Sequence, residues 1–149
     1  MSFSDFTTDD ELLAKRLKEV EESVKSRPHE MDARLEGRYL SCCGEERSMT
    51  MEFPVLEWEA NYGGILHGGI ICTMLDHTAG VTAICFMGGW TPTVDLDVHF
   101  LRSAKVGDTL ISKAYIEFCG SRIIHLRAEL VSKTTGKQIA SALATYINR

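Results

Sequence analysis

The chain has 149 residues, of which 44% are hydrophobic and 25% are charged. That balance suits one folded domain and argues against a disordered chain. The formal net charge of −5 argues against DNA or RNA as the main partner, although a small anionic ligand could still bind to a local group of Lys and Arg.

The N-terminal residues and the cysteines favour a cytoplasmic protein. Residues 1–12 are acidic, whereas a signal peptide begins with basic and then apolar residues. No apolar run reaches the ~18–20 residues that a membrane helix needs. The five cysteines form no CxxC pair. Adjacent Cys42 and Cys43 would suit a redox or metal site, but two ordinary thiols in a reducing cytosol are the simpler interpretation.

The chain begins with one predicted helix and two predicted strands. A capping box at residues 8–11 predicts the start of the helix, and Pro28 marks its end. Apolar residues recur between them at helical spacing: Leu13, Leu17, Val20 and Val24. Residues 33–43 and 47–55 are predicted to form two short strands around a Gly-Glu-Glu turn.

A connector over residues 54–66 leads into the longest apolar segment, residues 68–87. This segment is hydrophobic on nearly all sides, which predicts a helix buried in the core. Gly88 and Gly89 follow it and are predicted to end it.

The rest of the chain is predicted to form an antiparallel meander. Four strands are separated by turn sequences: 92–102, 109–119, 122–133 and 138–147. In the first strand, apolar and polar residues alternate, which predicts one buried and one polar face. The apolar set is Val94, Leu96, Val98 and Phe100. This order of elements predicts an α+β fold in which a curved antiparallel sheet wraps around one long helix.

The residues around the start of the buried helix resemble the hotdog-fold acyl-CoA thioesterases of the phenylacetate-degradation type. The pattern is Asn61-x-x-Gly64-x-Leu66-His67-Gly68-Gly69, with Asp76 nine residues after the histidine. Other residues also fall where that family has similar ones: Thr93-x-Asp95, Leu101, Gly107-Asp108, Gly120 and Gly136-Lys137. The resemblance covers about residues 55–147, most of the chain.

We expect one hotdog thioesterase domain over residues 1–149, with an N-terminal helical extension (1–30) and a core (31–149); the resemblance itself says nothing about the first 40 residues. It implies a hydrolase of acyl-CoA thioesters that works as a homodimer with two sites at the interface. Whether dimers pair further into a homotetramer stays open. CoA is part of the substrate, so no separate cofactor or metal is expected, and neither nucleic acid nor a membrane is expected as a partner.

By position, the resemblance implies that Gly68 or Gly69 offers a backbone N–H to the thioester carbonyl, while His67 and Asn61 shape the pocket. The chemistry agrees with this, because hydrolysis builds negative charge on the carbonyl oxygen and free N–H groups at a helix N-terminus stabilise such charge. Glycine also lets a ligand approach the backbone closely. Taken alone, the two glycines would be explained equally well by a tight entry into the helix.

Asp76 is the residue for which a functional role is favoured over a structural one. A lone Asp in a core helix can cap a backbone group or pair with an Arg, but this helix contains no Lys or Arg. A carboxylate in a partly dry pocket is a stronger base near neutral pH. By resemblance, Asp76 acts on water or directly on the carbonyl, and Thr93 helps to place the nucleophilic water.

The spacing of Gly68 and Asp76 predicts a site shared between two chains. Asp76 lies eight residues after Gly68, which places it ~12 Å further along the helix. A donor and a base must each lie roughly 3 Å from groups on the same reacting centre. Within one chain the two are therefore too far apart, which predicts a dimer with antiparallel central helices.

Other candidates for catalysis are weaker. His77, His99 and His125 have no zinc-binding spacing, and each is interpreted as an ordinary core or surface histidine. No Gly-x-Ser-x-Gly elbow is present, which argues against the α/β-hydrolase route. Cys72 and Cys85 fall in the buried helix and are interpreted as small hydrophobic residues.

An acidic protein needs local positive charge to hold the phosphates of CoA. The candidates are basic residues near strand ends and turns, although each alone is equally well an ordinary solvated charge: Arg102, Lys105, Arg122, Lys133 and Lys137. Bulky residues are candidates for limiting the acyl pocket: Trp58, Tyr62, Phe86, Met87 and Trp90. Aromatic and medium-chain acyl groups both remain compatible with the sequence.

Two alternatives to hydrolysis remain open. One is a hotdog dehydratase or hydratase, in which His67 removes the α-proton of the acyl group and a carboxylate assists. The other is a non-catalytic acyl-CoA-binding dimer. The His-Gly-Gly context and the spacing to Asp76 favour hydrolysis over both.

Overall fold

The computed structural model describes residues 6–147, so residues 1–5 of the acidic N-terminal stretch lie outside the described part. The helices are α1 Asp10–Lys25, α2 Met31–Arg34 and α3 Gly68–Met87, with a 3₁₀ turn at Glu57–Glu59. The strands are β1 Arg38–Cys43, β2 Ser48–Pro54, β3 Thr93–Phe100, β4 Thr109–Cys119, β5 Ile123–Ser132 and β6 Gln138–Ile147.

The six strands form one antiparallel sheet in the order β1-β2-β4-β5-β6-β3. Helix α3 packs against the sheet, and its Met74, Leu75 and Ala79 have no exposed surface. Facing strands contribute fully buried residues such as Phe53 and Leu130. This arrangement confirms the predicted α+β hotdog fold, in which the sheet wraps around one long helix.

Helix α1 caps the molecule at the C-terminal end of α3. Its N-cap is Asp9, which lies within the predicted capping box at residues 8–11, and the Asp9 carboxylate accepts a hydrogen bond from the Leu12 N–H at 2.8 Å. Leu13 and Leu17 are buried, as the periodicity predicts. The Arg16 guanidinium donates to the carbonyl oxygen of Cys85 at 2.8 Å, which satisfies one of the last carbonyls of α3.

The first predicted strand, 33–43, is wrong in its first half. Residues Met31–Arg34 form α2, and only Arg38–Cys43 is extended. The helical turn of α2 places Leu35 in the core, where it has no exposed surface. A segment this short has too little periodicity to distinguish a helical turn from a strand.

The predicted buried face of β3 is wrong for the single chain. Val94 and Phe100 are 55% and 56% exposed, and Leu96 and Val98 are only half-buried. The reason is that β3 lies at an edge of the sheet and pairs only with β6. Alternation identifies a face but not what covers it.

Helix α3 also corrects the expectation that no segment has the length and apolarity of a membrane span. By length and composition alone its 20 residues pass that test, because Asp76 and His77 are too few to offset the apolar residues around them. The helix is mostly buried inside the fold. Its apolarity is therefore accounted for by the core that it forms.

Candidate active site

His67 caps the N-terminus of α3 and leaves one of the two predicted donors free. Its Nδ1 accepts a hydrogen bond from the Gly69 N–H at 2.9 Å. A neutral His67 therefore carries its ring hydrogen on Nε2. The Gly68 N–H has no acceptor within residues 6–147, as expected for the first residue of a helix. Gly68 is thus the available donor, whereas the Gly69 N–H is already used.

Asn61 shapes the loop that leads into this helix. Its Oδ1 accepts hydrogen bonds from the N–H groups of Gly63 at 2.9 Å and Ile65 at 3.3 Å. Gly64 has a positive φ of 75°, which glycine adopts without strain. The His67 N–H donates to the Glu59 carbonyl at 2.9 Å and so fixes the loop against the start of α3.

Asp76 is held by two hydroxyl groups and by no cation among the described residues. Its Oδ1 accepts hydrogen bonds from Thr93 Oγ1 at 2.9 Å and from the Tyr146 hydroxyl at 2.8 Å. The same Tyr146 hydroxyl lies 2.9 Å from the Asp76 carbonyl oxygen. In the described part of the chain, no group donates to Asp76 Oδ2. One carboxylate oxygen is therefore fixed and the other is available for chemistry.

The register of the sheet brings the two hydroxyls together. Thr93 of β3 is directly opposite Tyr146 of β6. Burial, followed by the nearby charge of Asp76, raises the pKa of Tyr146, so its hydroxyl stays protonated and donates. Gly80, one helical turn beyond Asp76, lies against the tyrosine ring, which is 3.5 Å from the place that a Cβ would occupy.

Tyr146 is a site residue that the sequence analysis missed. Residues 138–147 were correctly predicted as a strand, but only the β3–β6 register places Tyr146 beside Thr93 and Asp76. The available signal was a single aromatic residue in a strand of mostly small residues.

A cavity of about 370 Å³ opens beside the first turns of α3. His67, Gly69 and Ile70 line it on the helix side, and Trp58 lines it on the loop side. The Arg34 guanidinium lies 4.7 Å from the centroid of the Trp58 ring and holds it by a cation–π contact.

The other residues predicted to limit the acyl pocket lie elsewhere. Phe86 and Met87 have no exposed surface and belong to the core. Tyr62 is fully exposed, and Trp90 is 67% exposed. Of the five predicted residues, Trp58 alone lines the cavity among the described residues.

Glu59 contributes a buried carboxyl group to the same region. Its Oε2 accepts a hydrogen bond from the Leu56 N–H at 2.9 Å, while Oε1 is buried without a partner among the described residues. Burial raises the pKa of Glu59. Sequence reasoning did not identify this residue, because only the fold shows that this loop position is buried.

The structure separates the basic residues predicted to hold CoA. Arg102, Lys105 and Lys137 lie at one end of the sheet, whereas Arg122 lies at the opposite end, in the turn between β4 and β5. The backbone of Lys105 forms an antiparallel β-bridge with Ile65 in the loop before His67. The Arg102 guanidinium donates a hydrogen bond to the Gln138 carbonyl at 3.0 Å. Lys133 is paired with Glu52 at 3.3 Å. Within one chain, Arg122 is therefore separated from the other four.

The remaining candidates have ordinary partners. His125 lies 2.9 Å from Thr145 Oγ1, and His99 lies 3.8 Å from Asp97. Burial raises the pKa of Cys72, and a hydrogen bond with Cys42 together with burial raises that of Cys85. These thiols are therefore poor nucleophiles, which supports their interpretation as small hydrophobic residues.

Comparison with known proteins finds similarity to thioesterases. The thioesterase superfamily matches residues 63–139. Acyl-coenzyme A thioesterase 13 of Mus musculus is 32% identical over 95 residues, which are 63% of this chain and 68% of the mouse protein.

Two of the similar solved structures cover most of this fold. Thioesterase superfamily member 2 from Mus musculus has a TM-score of 0.77 at 26% identity, covering 88% of this chain and 96% of that one. The PaaI protein of the E. coli phenylacetic acid degradation operon has a TM-score of 0.78 at 18% identity, covering 92% and 96%. At that identity the second likeness shows the fold alone.

Proposed function

The chain belongs to the thioesterase superfamily and is a thioester hydrolase, and from this premise we propose that it hydrolyses acyl-CoA to a free acid and CoA. In this proposal Asp76 is the general base or the nucleophile. Gly68 donates its N–H to the carbonyl oxygen, and Gly69 fixes His67. Asn61 shapes the approach, and Thr93 helps to place the attacking water.

The observation that carries the proposal is the way in which Asp76 is held. Hydrogen bonds from Thr93 and Tyr146 fix Oδ1, so that Oδ2 is presented in a constant direction. Oδ2 can remove a proton from water that attacks the thioester carbon, or it can attack that carbon itself. The second route breaks the C–S bond, releases CoA and leaves an anhydride on Asp76, which water then hydrolyses to the free acid. Both routes end in the same products and need the carboxylate in the same place.

A shared site in a homodimer completes the proposal. Because α3 is continuous from Gly68 to Met87, Asp76 stays ~12 Å from Gly68 within one chain. A second chain with an antiparallel α3 would bring its own Asp76 to this Gly68. The exposed apolar residues of edge strand β3, Val94 and Phe100, support a partner at this side of the sheet. Further pairing into a homotetramer stays a prediction.

The cavity beside Trp58 is the proposed acyl site, because His67 and Gly69, the neighbours of Gly68 in sequence, line it. The proposed place for the CoA phosphates is the end of the sheet that carries Arg102, Lys105 and Lys137. Lys105 supports this, since its backbone pairs with Ile65 in the loop before His67. A cytoplasmic location and a reaction without a separate cofactor or metal also stay predictions.

His67 favours hydrolysis over dehydration. A base that removes an α-proton needs a free ring nitrogen to accept it. Here Nδ1 accepts from Gly69, so Nε2 of the neutral ring already carries hydrogen. His67 is thus built as a helix cap and donor rather than as a base.

The direct test is thiol release from a panel of aromatic and medium-chain acyl-CoA thioesters. We expect turnover by the wild type and a fall of about 10²–10⁴-fold in Asp76→Asn. Asp97→Asn is the matched control, because Asp97 is an exposed aspartate on β3, and it should keep the wild-type rate. Hydration of an enoyl-CoA without thiol release would favour the hydratase, and binding without any turnover would favour the non-catalytic dimer.

The shared site has a complementation test. Gly68→Pro and Asp76→Asn should each be inactive, but a mixed dimer would keep one intact site made from the unchanged halves. After subunit exchange in an equimolar mixture, roughly half of the dimers are mixed and one of their two sites works, so about a quarter of wild-type activity should return. Confirmed exchange without recovery would contradict the shared site.

A further inference from the structure

His77, which follows Asp76 in α3, is held at both ring nitrogens by the N-terminal part of the chain. Its Nδ1 lies 3.1 Å from Asp32 Oδ1, and its Nε2 lies 2.9 Å from the Tyr39 hydroxyl. The His77 side chain is only 6% exposed, and its ring packs edge-on against Phe53. His77 is therefore a fixed link between α3, α2 and β1.

The hydrogen-bonding roles within this Asp32–His77–Tyr39 relay are mutually consistent. The Asp32 carboxylate only accepts, so His77 Nδ1 donates to it. In the neutral ring Nε2 then accepts the hydrogen of the Tyr39 hydroxyl. The hydrogen bond from His77 holds the pKa of Asp32 below its usual value, and burial raises the pKa of Tyr39. Asp32 thus stays ionised and Tyr39 stays protonated.

The relay and the contacts of Asp76 hold α3 from two directions. Consecutive residues of an α-helix point about 100° apart around its axis. Asp76 is held by hydroxyls from β3 and β6, whereas His77 is held from α2 and β1. Rotation of α3 about its axis must therefore distort at least one of the two sets.

We propose that the Asp32–His77–Tyr39 relay positions Asp76 by fixing the rotation of α3. This inference rests on the catalytic role proposed for Asp76. It gives Asp32 and Tyr39, both outside the matched residues 63–139, a part in the reaction without contact to substrate. A misplacement of 1 Å can cost about 10²-fold in rate, so a small rotation of the helix would be measurable.

Two variants test the relay without disturbing the core. Asp32→Ala acts at a half-exposed side chain, and Tyr39→Phe removes only a hydroxyl. In each we expect kcat to fall about tenfold with KM unchanged, because the carboxylate moves while substrate binding does not. The double variant should lose less than the product of the single losses, since both act through His77. Asp32→Asn keeps an acceptor for His77 Nδ1 and should recover most of kcat.

Matched controls remove similar groups that do not bind His77. Glu21→Ala removes a carboxylate that lines the same cavity as Asp32 and Tyr39 but pairs with Lys25. Tyr115→Phe removes a hydroxyl from a ring that packs against Arg127. Both controls are expected to keep the wild-type kcat.

The outcomes separate this inference from the proposed function. Wild-type kcat in Asp32→Ala and Tyr39→Phe, with Asp76→Asn inactive, overturns the relay alone. Circular dichroism measures the unfolded fraction of each variant. A fall in kcat that is fully explained by this unfolded fraction also overturns the relay. An active Asp76→Asn overturns the proposed role of Asp76 and this inference with it.

Discussion

The two parts of the proposed site on α3 are built in opposite ways. At the donor end, Gly68 and Gly69 are half-buried and exposed, and the Gly68 N–H is free within residues 6–147. Eight residues later, Asp76 and His77 are held by four side chains from four other elements. The difference suits the proposed reaction, because one end has to admit a substrate while the other has to hold a charge still.

Among the changes that leave Asp76 itself in place, removing the free donor is expected to have the largest effect. Gly68→Pro deletes the N–H, and proline fits the first position of a helix, so the fold should survive. We expect kcat to fall about 10²–10³-fold, as on loss of an oxyanion donor. Steady-state kinetics and a thermal melt would measure activity and stability together.

Gly69→Pro is the matched control at the same end. It deletes an N–H that already bonds His67, so it should cost about 1 kcal/mol of stability as a lost cap and lower kcat less than Gly68→Pro does. If Gly69→Pro loses more activity than Gly68→Pro, the donor has been assigned to the wrong glycine.

At the fixed end, Tyr146→Phe should lower both activity and stability. The variant keeps the buried ring but removes the hydroxyl from Asp76, and a hydrogen bond to a charged group contributes about 1.5–3 kcal/mol. We expect a loss of stability of that order in urea unfolding and a kcat about tenfold lower.

Thr93→Val separates the effect on activity from the effect on stability. It also removes a hydroxyl from Asp76, but Thr93 is exposed, so activity should fall with little loss of stability. Full activity in both variants would mean that the position of Asp76 does not depend on its two hydroxyl partners.

The parts of the fold that were predicted correctly depend on local patterns. The bounds of α3 match residues 68–87, because an apolar segment is bracketed there by glycines. Two strands, 109–119 and 138–147, also match their predicted bounds, because turn sequences separate them. The four-residue helix α2 was missed because it is too short to show a period.

The candidate site divides in the same way. Gly68 and Asp76 are candidates from the sequence alone, because their motif lies on one continuous segment. Tyr146 and the contacts of His77 depend on strand register and on how the N-terminal segment packs, and no local pattern records either. The exposure of β3 was missed for a related reason, since alternation does not reveal whether a partner covers the apolar face.

The donor end of the site, around Gly68 and Gly69, should also control which acyl groups react. Trp58→Ala enlarges the cavity beside Gly69, so we expect the ratio of kcat/KM for long over short acyl-CoA thioesters to rise about threefold to tenfold, since each buried methylene contributes about 0.8 kcal/mol. Trp90→Ala is the control, because Trp90 is exposed beyond the end of α3. An unchanged ratio in Trp58→Ala would remove this cavity as the acyl site.

The smallest expected effect is on how the free energy of unfolding depends on acid pH, through the contact between Asp32 and His77. Because the hydrogen bond from His77 lowers the folded-state pKa of Asp32, the stability it contributes is fully present above the unfolded value of about 4 and is lost as the pH falls through the folded-state value. The difference in unfolding free energy between wild type and Asp32→Ala should therefore be constant near neutral pH and shrink below about pH 4. Solvent screening of the half-exposed carboxylate limits that difference to well under about 1 kcal/mol. A difference in urea unfolding that persists in strong acid would mean that α3 is held at His77 by packing, and that the charge of Asp32 contributes nothing to it.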